Sequence, residues 1–332
     1  MSEIPRGAIR FNTDSNKPEL WDGSQWAEFQ LSTPNLGRSV DTQPGARGLW
    51  GGGGYPTTTN IIDYVNISST GDAIDFGDLN NNTILTGACS SRTRGLWAGT
   101  FPSASNVIDF VTIASTGNAT DFGDRTTAQY NLSALSNATR GCFVGGHNPT
   151  ETDIIDYVTI AQTGNAVDFG NLLTAGHGVA CCASPTRGVI FGISTPTTLN
   201  TIEFITITTL GNSQDFGDLT ISKHNMGACS NPIRGVTGGG SDPSPATAAI
   251  DTILIATTGN SQNFGDLTVA RSTIKACSSA TRGVFAGGQN PSEDSTIDYI
   301  EFATEGDAVD FGDLTGSRGH SPSGCSNAHG GL

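Results

Sequence analysis

Residues 87–124 read GACSSRTRGLWAGTFPSASNVIDFVTIASTGNATDFGD, and most of the remaining chain is this stretch again. Its Arg-Gly pair recurs as Arg47-Gly48, Arg94-Gly95, Arg140-Gly141, Arg187-Gly188, Arg234-Gly235 and Arg282-Gly283, at spacings of 47, 46, 47, 47 and 48 residues. A Phe-Gly pair keeps step, beginning at Phe76, Phe122, Phe169, Phe216, Phe264 and Phe311. A fixed period of this size means stacked units, none of which can bury its apolar face alone. Within a unit, ACSS and GLWAG are short apolar runs about a Ser/Thr/Arg turn, the pattern of a hairpin. NVIDFVTIA has the β-branched and aromatic content and the length of a strand. Ser-Thr-Gly-Asn supplies the positive φ of a tight turn, and NATDFGDL reads as a last, more polar strand. No 3.6-residue period survives the glycines, so the unit is four antiparallel strands, labelled a to d in chain order.

Six such units predict an all-β, six-bladed β-propeller over residues 36–332, preceded by a short β module at 1–35. An a-type strand is read before the first unit (GRSVDTQ, 37–43) and another after the sixth (SGCSNAHGGL, 323–332). The C-terminal one is expected to complete the first blade and close the ring, so that no blade exposes an edge. A solenoid would instead need distinct caps at its two ends. The Gly-Gly that ends strand b in several copies resembles the kelch family of propellers.

The N-terminal module, GAIRFNTDSNKPELWDGSQWAEF (7–29), reads as three short strands carrying Phe11, Trp21, Trp26 and Phe29. Three strands are too few to be stable alone, so a partner surface is expected. Its pattern G-x-I-R-F-N-T, then E-x-W-D-G-x-x-W, resembles a segment of tail-fibre and other structural proteins of bacteriophages. Units with R-G-L-W-x-G and T-G-N-A-x-D-F-G-D are similar to those in virion proteins of phages that infect marine bacteria, cyanobacteria included. The resemblance implies a tail, fibre or capsid-surface protein that folds in the host cytoplasm and resides in the virion. Other virion proteins are then the expected partners of residues 1–35, and a host-surface glycan or protein is a candidate ligand. An intracellular protein–protein scaffold and a glycan-binding propeller are the alternatives, and association of copies of the chain stays open.

Composition narrows the partners. A formal charge of −15 with only Lys17, Lys223 and Lys275 as lysines argues against nucleic acid. Residues 1–30 hold no apolar run of signal-peptide length, and no run is long enough to insert in a membrane. Seven cysteines are an odd count, and Cys89, Cys182, Cys229 and Cys277 fall at one position of strand a. Equivalent positions on different blades lie too far apart to pair, so reduced, buried thiols are expected.

No catalytic set stands out, and neither a cofactor nor enzymatic activity is expected. Asp-Phe-Gly, a kinase signature elsewhere, occurs five times here and without its Gly-rich loop and lysine. Asp72, Asp75 and Asp78 form a calcium candidate, although sister turns put Asn at acidic positions, where turn capping is the simpler role. Each Arg-Gly arginine is expected to ion-pair with the c-strand acid of its own unit (Asp63, Asp109, Asp156, Glu203, Asp251 or Asp298) or to clamp a carbonyl. The five histidines show no ligand spacing along the chain.

Comparing repeats locates the functional face. The a–b and c–d turns are nearly constant, whereas the b–c loops and d–a connections differ between units. Both variable segments emerge on one face of an up-and-down blade, and recognition concentrates in loops on a rigid scaffold. Tyr55, Phe101, Tyr130, His147, His177, His224 and Arg271 are the candidate contacts.

Overall fold

The computed structural model describes residues 5, 7–12, 17–21, 24–28, 46–54, 57–241, 245–320 and 322–328, with backbone alone at 11–12, 17–18 and 27–28. The chain divides into two compact units between Gly45 and Ala46. In the first, Ile9–Asn12, Lys17–Trp21 and Trp26–Glu28 form an antiparallel sheet in that order. Arg10 pairs with Glu19 at 2.7 Å and lies 4.3 Å over the Trp26 ring, while Trp21 and Trp26 sit opposite one another with rings 5.5 Å apart. Phe11 lies on the first of these strands; Phe29 and the segment 37–43 fall outside the described residues.

The second unit is a six-bladed β-propeller of four-stranded antiparallel sheets. Strands a of successive blades pack side by side around the axis. Blade 1 takes strands b, c and d from Arg47–Gly51, Thr59–Asn66 and Ile74–Thr83, and its innermost strand from Ser323–Ser326. The C-terminal strand thus closes the ring, as expected. Around the channel, Ser90, Ser136, Ser278 and Ser326 donate their hydroxyls to strand-a carbonyls of neighbouring blades, and Ser230 reaches the Ala183 carbonyl.

The repeated residues act between blades. Gly117 N–H donates to the Phe76 carbonyl and Ala119 N–H to the Asp78 carbonyl, so the c–d turn of blade 2 hydrogen-bonds the free edge of strand d in blade 1. Asn118 Oδ1 accepts from Asp78 N–H in the same contact, at 3.2 Å. Every blade repeats this, with Asn165, Asn212, Asn260, Asp307 and Asp72 as the successive acceptors. Asn and Asp alternate freely because only one side-chain oxygen is used. The Phe-Gly glycine follows from the same contact: at Gly77 φ is +145°, and a Cβ would lie 2.5 Å from the Gly117 carbonyl.

A second constant feature is the Arg-Gly pair. A Cβ on Gly48 would stand 2.6 Å from Cys277 Sγ of blade 6, and Gly95, Gly141, Gly235 and Gly283 face Cys325, Cys89, Cys182 and Cys229 in the same way. All seven cysteines are free and buried, and these five recur as space-fillers beside a glycine notch. The arginines clamp carbonyls: Arg47, Arg94, Arg140 and Arg187 donate to Ile113, Ile160, Ile207 and Ile255 at 2.6–3.0 Å, and Arg282 to Ile67 at 3.3 Å. Each acceptor belongs to the following blade. Five of them also stack on the aromatic residue of their own strand c, Tyr64, Phe110, Tyr157, Phe204 or Tyr299, at 4.3–5.0 Å. Blade 5 has Thr252 there, and Arg234 turns instead to Glu305 at 3.1 Å.

The expected pairing of each arginine with its own c-strand acid is corrected. Those acids bind the d–a segment of the preceding blade, as Asp63 does with Thr315 and Arg318, and Asp156 with Thr126 and Arg125.

If the turn-to-edge contact holds the ring, Gly77→Ala will lower unfolding free energy by about 1–3 kcal/mol, the usual cost of forcing a methyl into a filled site. Gly117→Ala has similar positive φ (+154°) but meets nothing within 4 Å, so it will cost less. Urea denaturation of the two variants measures the difference.

Candidate functional site

The b–c loops and d–a connections meet on one face, where short two-residue bridges pair them: Ile84 with Phe101, Tyr130 with His147, His177 with Ser194, His224 with Ser241 and Ser272 with Gln289. These pairs place b–c loop residues beside d–a residues of the preceding connection, so residues 17 positions apart in the chain become neighbours. Four of the predicted contacts form one continuous row of rings across blades 2 to 4. Phe101 and Tyr130 have centroids 5.0 Å apart, Tyr130 and His147 5.4 Å, and His147 and His177 5.4 Å. All four side chains are half-buried, anchored on one side and open on the other. Rings held this way offer large contact area at little entropic cost, as binding hot spots do. His224 lies in the following d–a connection, with Nδ1 3.3 Å from Thr198 Oγ1. Tyr55 lies outside the described residues.

Arg271 does not belong to this surface. Its side chain is fully buried, its Nη2 lies 2.5 Å from Asp298 Oδ2, and its Nη1 donates to the Gly287 and Thr296 carbonyls. Lys223 and Arg318 hold Asp251 and Asp63 equivalently, at 2.9 and 2.7 Å. Asp109 and Glu203 have no such cation; Asn80 serves the first, Ser213 and the Leu173 N–H the second. Burial raises both carboxyls above the ordinary range despite these hydrogen bonds.

The calcium candidate is not assembled. Asp72 Oδ1 accepts the Asp313 N–H, and the ligand atoms of Asp72, Asp75 and Asp78 do not converge. Among the described residues, the group that does converge is His147, Glu151 and His177, whose ligand atoms all lie within 4.8 Å of one another. Histidine spacing along the chain conceals it, because His147 and Glu151 sit in the b–c loop of blade 3 and His177 in the connection after its strand d. Strand order shows what spacing cannot.

The thiols are chemically quiet: burial pushes Cys181, which lines the channel, up to about 12, and raises the other six as well. Thiolates, the nucleophilic form, are therefore scarce near neutral pH. Among the described residues, no helix is long and apolar enough to cross a membrane. No family model matches this chain, and no curated protein matches it.

Replacing Arg271 with Met will strand the Asp298 carboxylate in the interior and cost about 3–5 kcal/mol, as broken buried pairs do. Burial already holds Asp298 above its ordinary value, and loss of the guanidinium raises it further. The ionised form carries the penalty, so the deficit is full above the folded-state value and shrinks as pH falls through it. Thermal unfolding of variant and wild type at pH 7.5 and pH 5 tests this, with the smaller difference expected at pH 5.

Proposed function

We propose that this propeller is a non-enzymatic binding module, and that the assembly it serves is a bacteriophage particle, as a tail, fibre or capsid-surface component. The observation that carries the binding role is the row Phe101–Tyr130–His147–His177, because it falls on the face where the six repeats differ. The constant face is occupied by contacts between blades, with the arginines on carbonyls and aromatic rings, which leaves the variable face as the surface free to diversify. Half-buried rings suit the apolar faces of sugars and the side chains of proteins alike, so a host-surface glycan or protein is the ligand class. The particle assignment rests on the resemblance of the repeats and of the module motif to phage virion proteins. In that setting residues 1–35, with Trp21 and Trp26 paired on a small sheet, attach the ring to other virion proteins.

Two experiments separate these statements. Deleting residues 1–35 will leave the propeller folded and abolish its recovery in purified particles, read by mass spectrometry; normal incorporation would refute the attachment role, and absence of the intact chain from particles would refute the virion. The double variant Phe101→Ala/Tyr130→Ala will reduce binding of the isolated protein to host cells at least tenfold while leaving its melting transition intact; undiminished binding would remove the face from consideration.

A further inference from the structure

The convergence of His147, Glu151 and His177 supports more than a contact surface. His147 Nδ1 lies 3.6 Å and His177 Nδ1 3.8 Å from the same atom, Glu151 Oε1. Both nitrogens are shielded from solvent and have no hydrogen-bond partner. The distances are too long for hydrogen bonds to the carboxylate. They suit a shared cation instead, because donors about 2.0–2.1 Å from a tetrahedral metal stand about 3.4 Å apart. We propose that His147, Glu151 and His177 bind one transition-metal cation of the zinc class, tying the b–c loop of blade 3 to the connection that leads into blade 4.

The donor set argues for that class. Two imidazole nitrogens and one carboxylate oxygen are ligands for zinc and its neighbours, whereas calcium and magnesium take oxygen throughout. Three protein ligands leave a coordination position for water or for a group from a bound partner, the arrangement of open rather than purely structural zinc sites.

The repeats supply an internal comparison. The loop GGHNPTE (145–151) of blade 3 returns in blade 6 as GGQNPSE (287–293), and Gln289 bridges to Glu293 as His147 does to Glu151. Gly146 N–H binds the Gly176 carbonyl and Gly288 N–H the Arg318 carbonyl, which aligns His177 with Gly319. Blade 6 therefore keeps the loop and its acid but has Gln and Gly where blade 3 has two imidazoles. The acid and loop shape alone belong to the scaffold; the histidines are the addition. The inference stands apart from the virion reading, since it requires only the folded ring.

The test uses untagged full-length protein, stripped with chelator and titrated with Zn²⁺ against a chromogenic competitor, with Co²⁺ absorption as an independent report of coordination. One equivalent per chain is expected. His147→Ala, His177→Ala and Glu151→Gln will each weaken binding at least tenfold, whereas His320→Asn, at a left-handed position that Asn accepts, will not. Bound metal will raise the melting temperature of the wild type and not of the His147→Ala/His177→Ala double variant, which also shows that the variant folds. Affinity will fall steeply below about pH 6 as the imidazoles take protons. No stoichiometric binding by the wild type, or equal binding by the folded double variant, would overturn the site.

Discussion

The free edge of every outermost strand is covered by the turn of the next blade, and the rest of the ring depends on this contact. Phe76 and Asp78 show the pattern: their carbonyls accept from Gly117 and Ala119, and the Asp78 N–H finds Asn118. An uncovered strand edge invites pairing with other chains. Here the same hydrogen bonds that silence the edge also fix the distance and tilt between blades. Gly77 and its five counterparts are required because backbone meets backbone at this point, with no room for a methyl group. Once that spacing is set, cysteine sulfurs drop into the Arg-Gly notches and arginines reach the carbonyls of the following blade.

A polar layer lies on the other side of each interface. The buried c-strand acids anchor the start of the d–a connections, and four of the six have a cation beside them: Arg125, Lys223, Arg271 or Arg318. A buried pair of this kind adds little net stability, since desolvation offsets attraction, but losing one member is severe. The layer therefore holds the roots of the variable segments in place while their tips differ. A face built on such roots can change its side chains without moving its backbone, which is how blades 3 and 6 share one loop shape and differ in imidazole content.

Much of this architecture is legible in the chain because the period repeats six times. Strand types, blade number and closure by Ser323–Ser326 follow from alternation, turn residues and the surplus a-type segment. The inter-blade contacts are less legible. Nothing local tells that Arg47 serves Ile113 of the next blade rather than Asp63 of its own, since the pairing it makes crosses from one repeat to the next. Arg271 looks like a loop residue, yet it aligns with Lys223 and Arg318 in the d–a connections; a cation recurring at one position opposite a buried acid was the available signal. The metal cluster is harder still. His147 and His177 lie on different segments, and only the pairing of b–c loop with d–a connection makes them neighbours.

Closure carries a further consequence for how the molecule is made. Arg47 N–H and Asn327 Oδ1 meet across 280 residues, and Ser323–Ser326 must find a sheet whose other three strands begin at Arg47. At translation rates of about 5–20 residues per second, that sheet is synthesised tens of seconds before its fourth strand. Through that interval strand Arg47–Gly51 lacks the partner it has in the closed ring, and the ribosome rather than the native structure decides how long that edge is at risk.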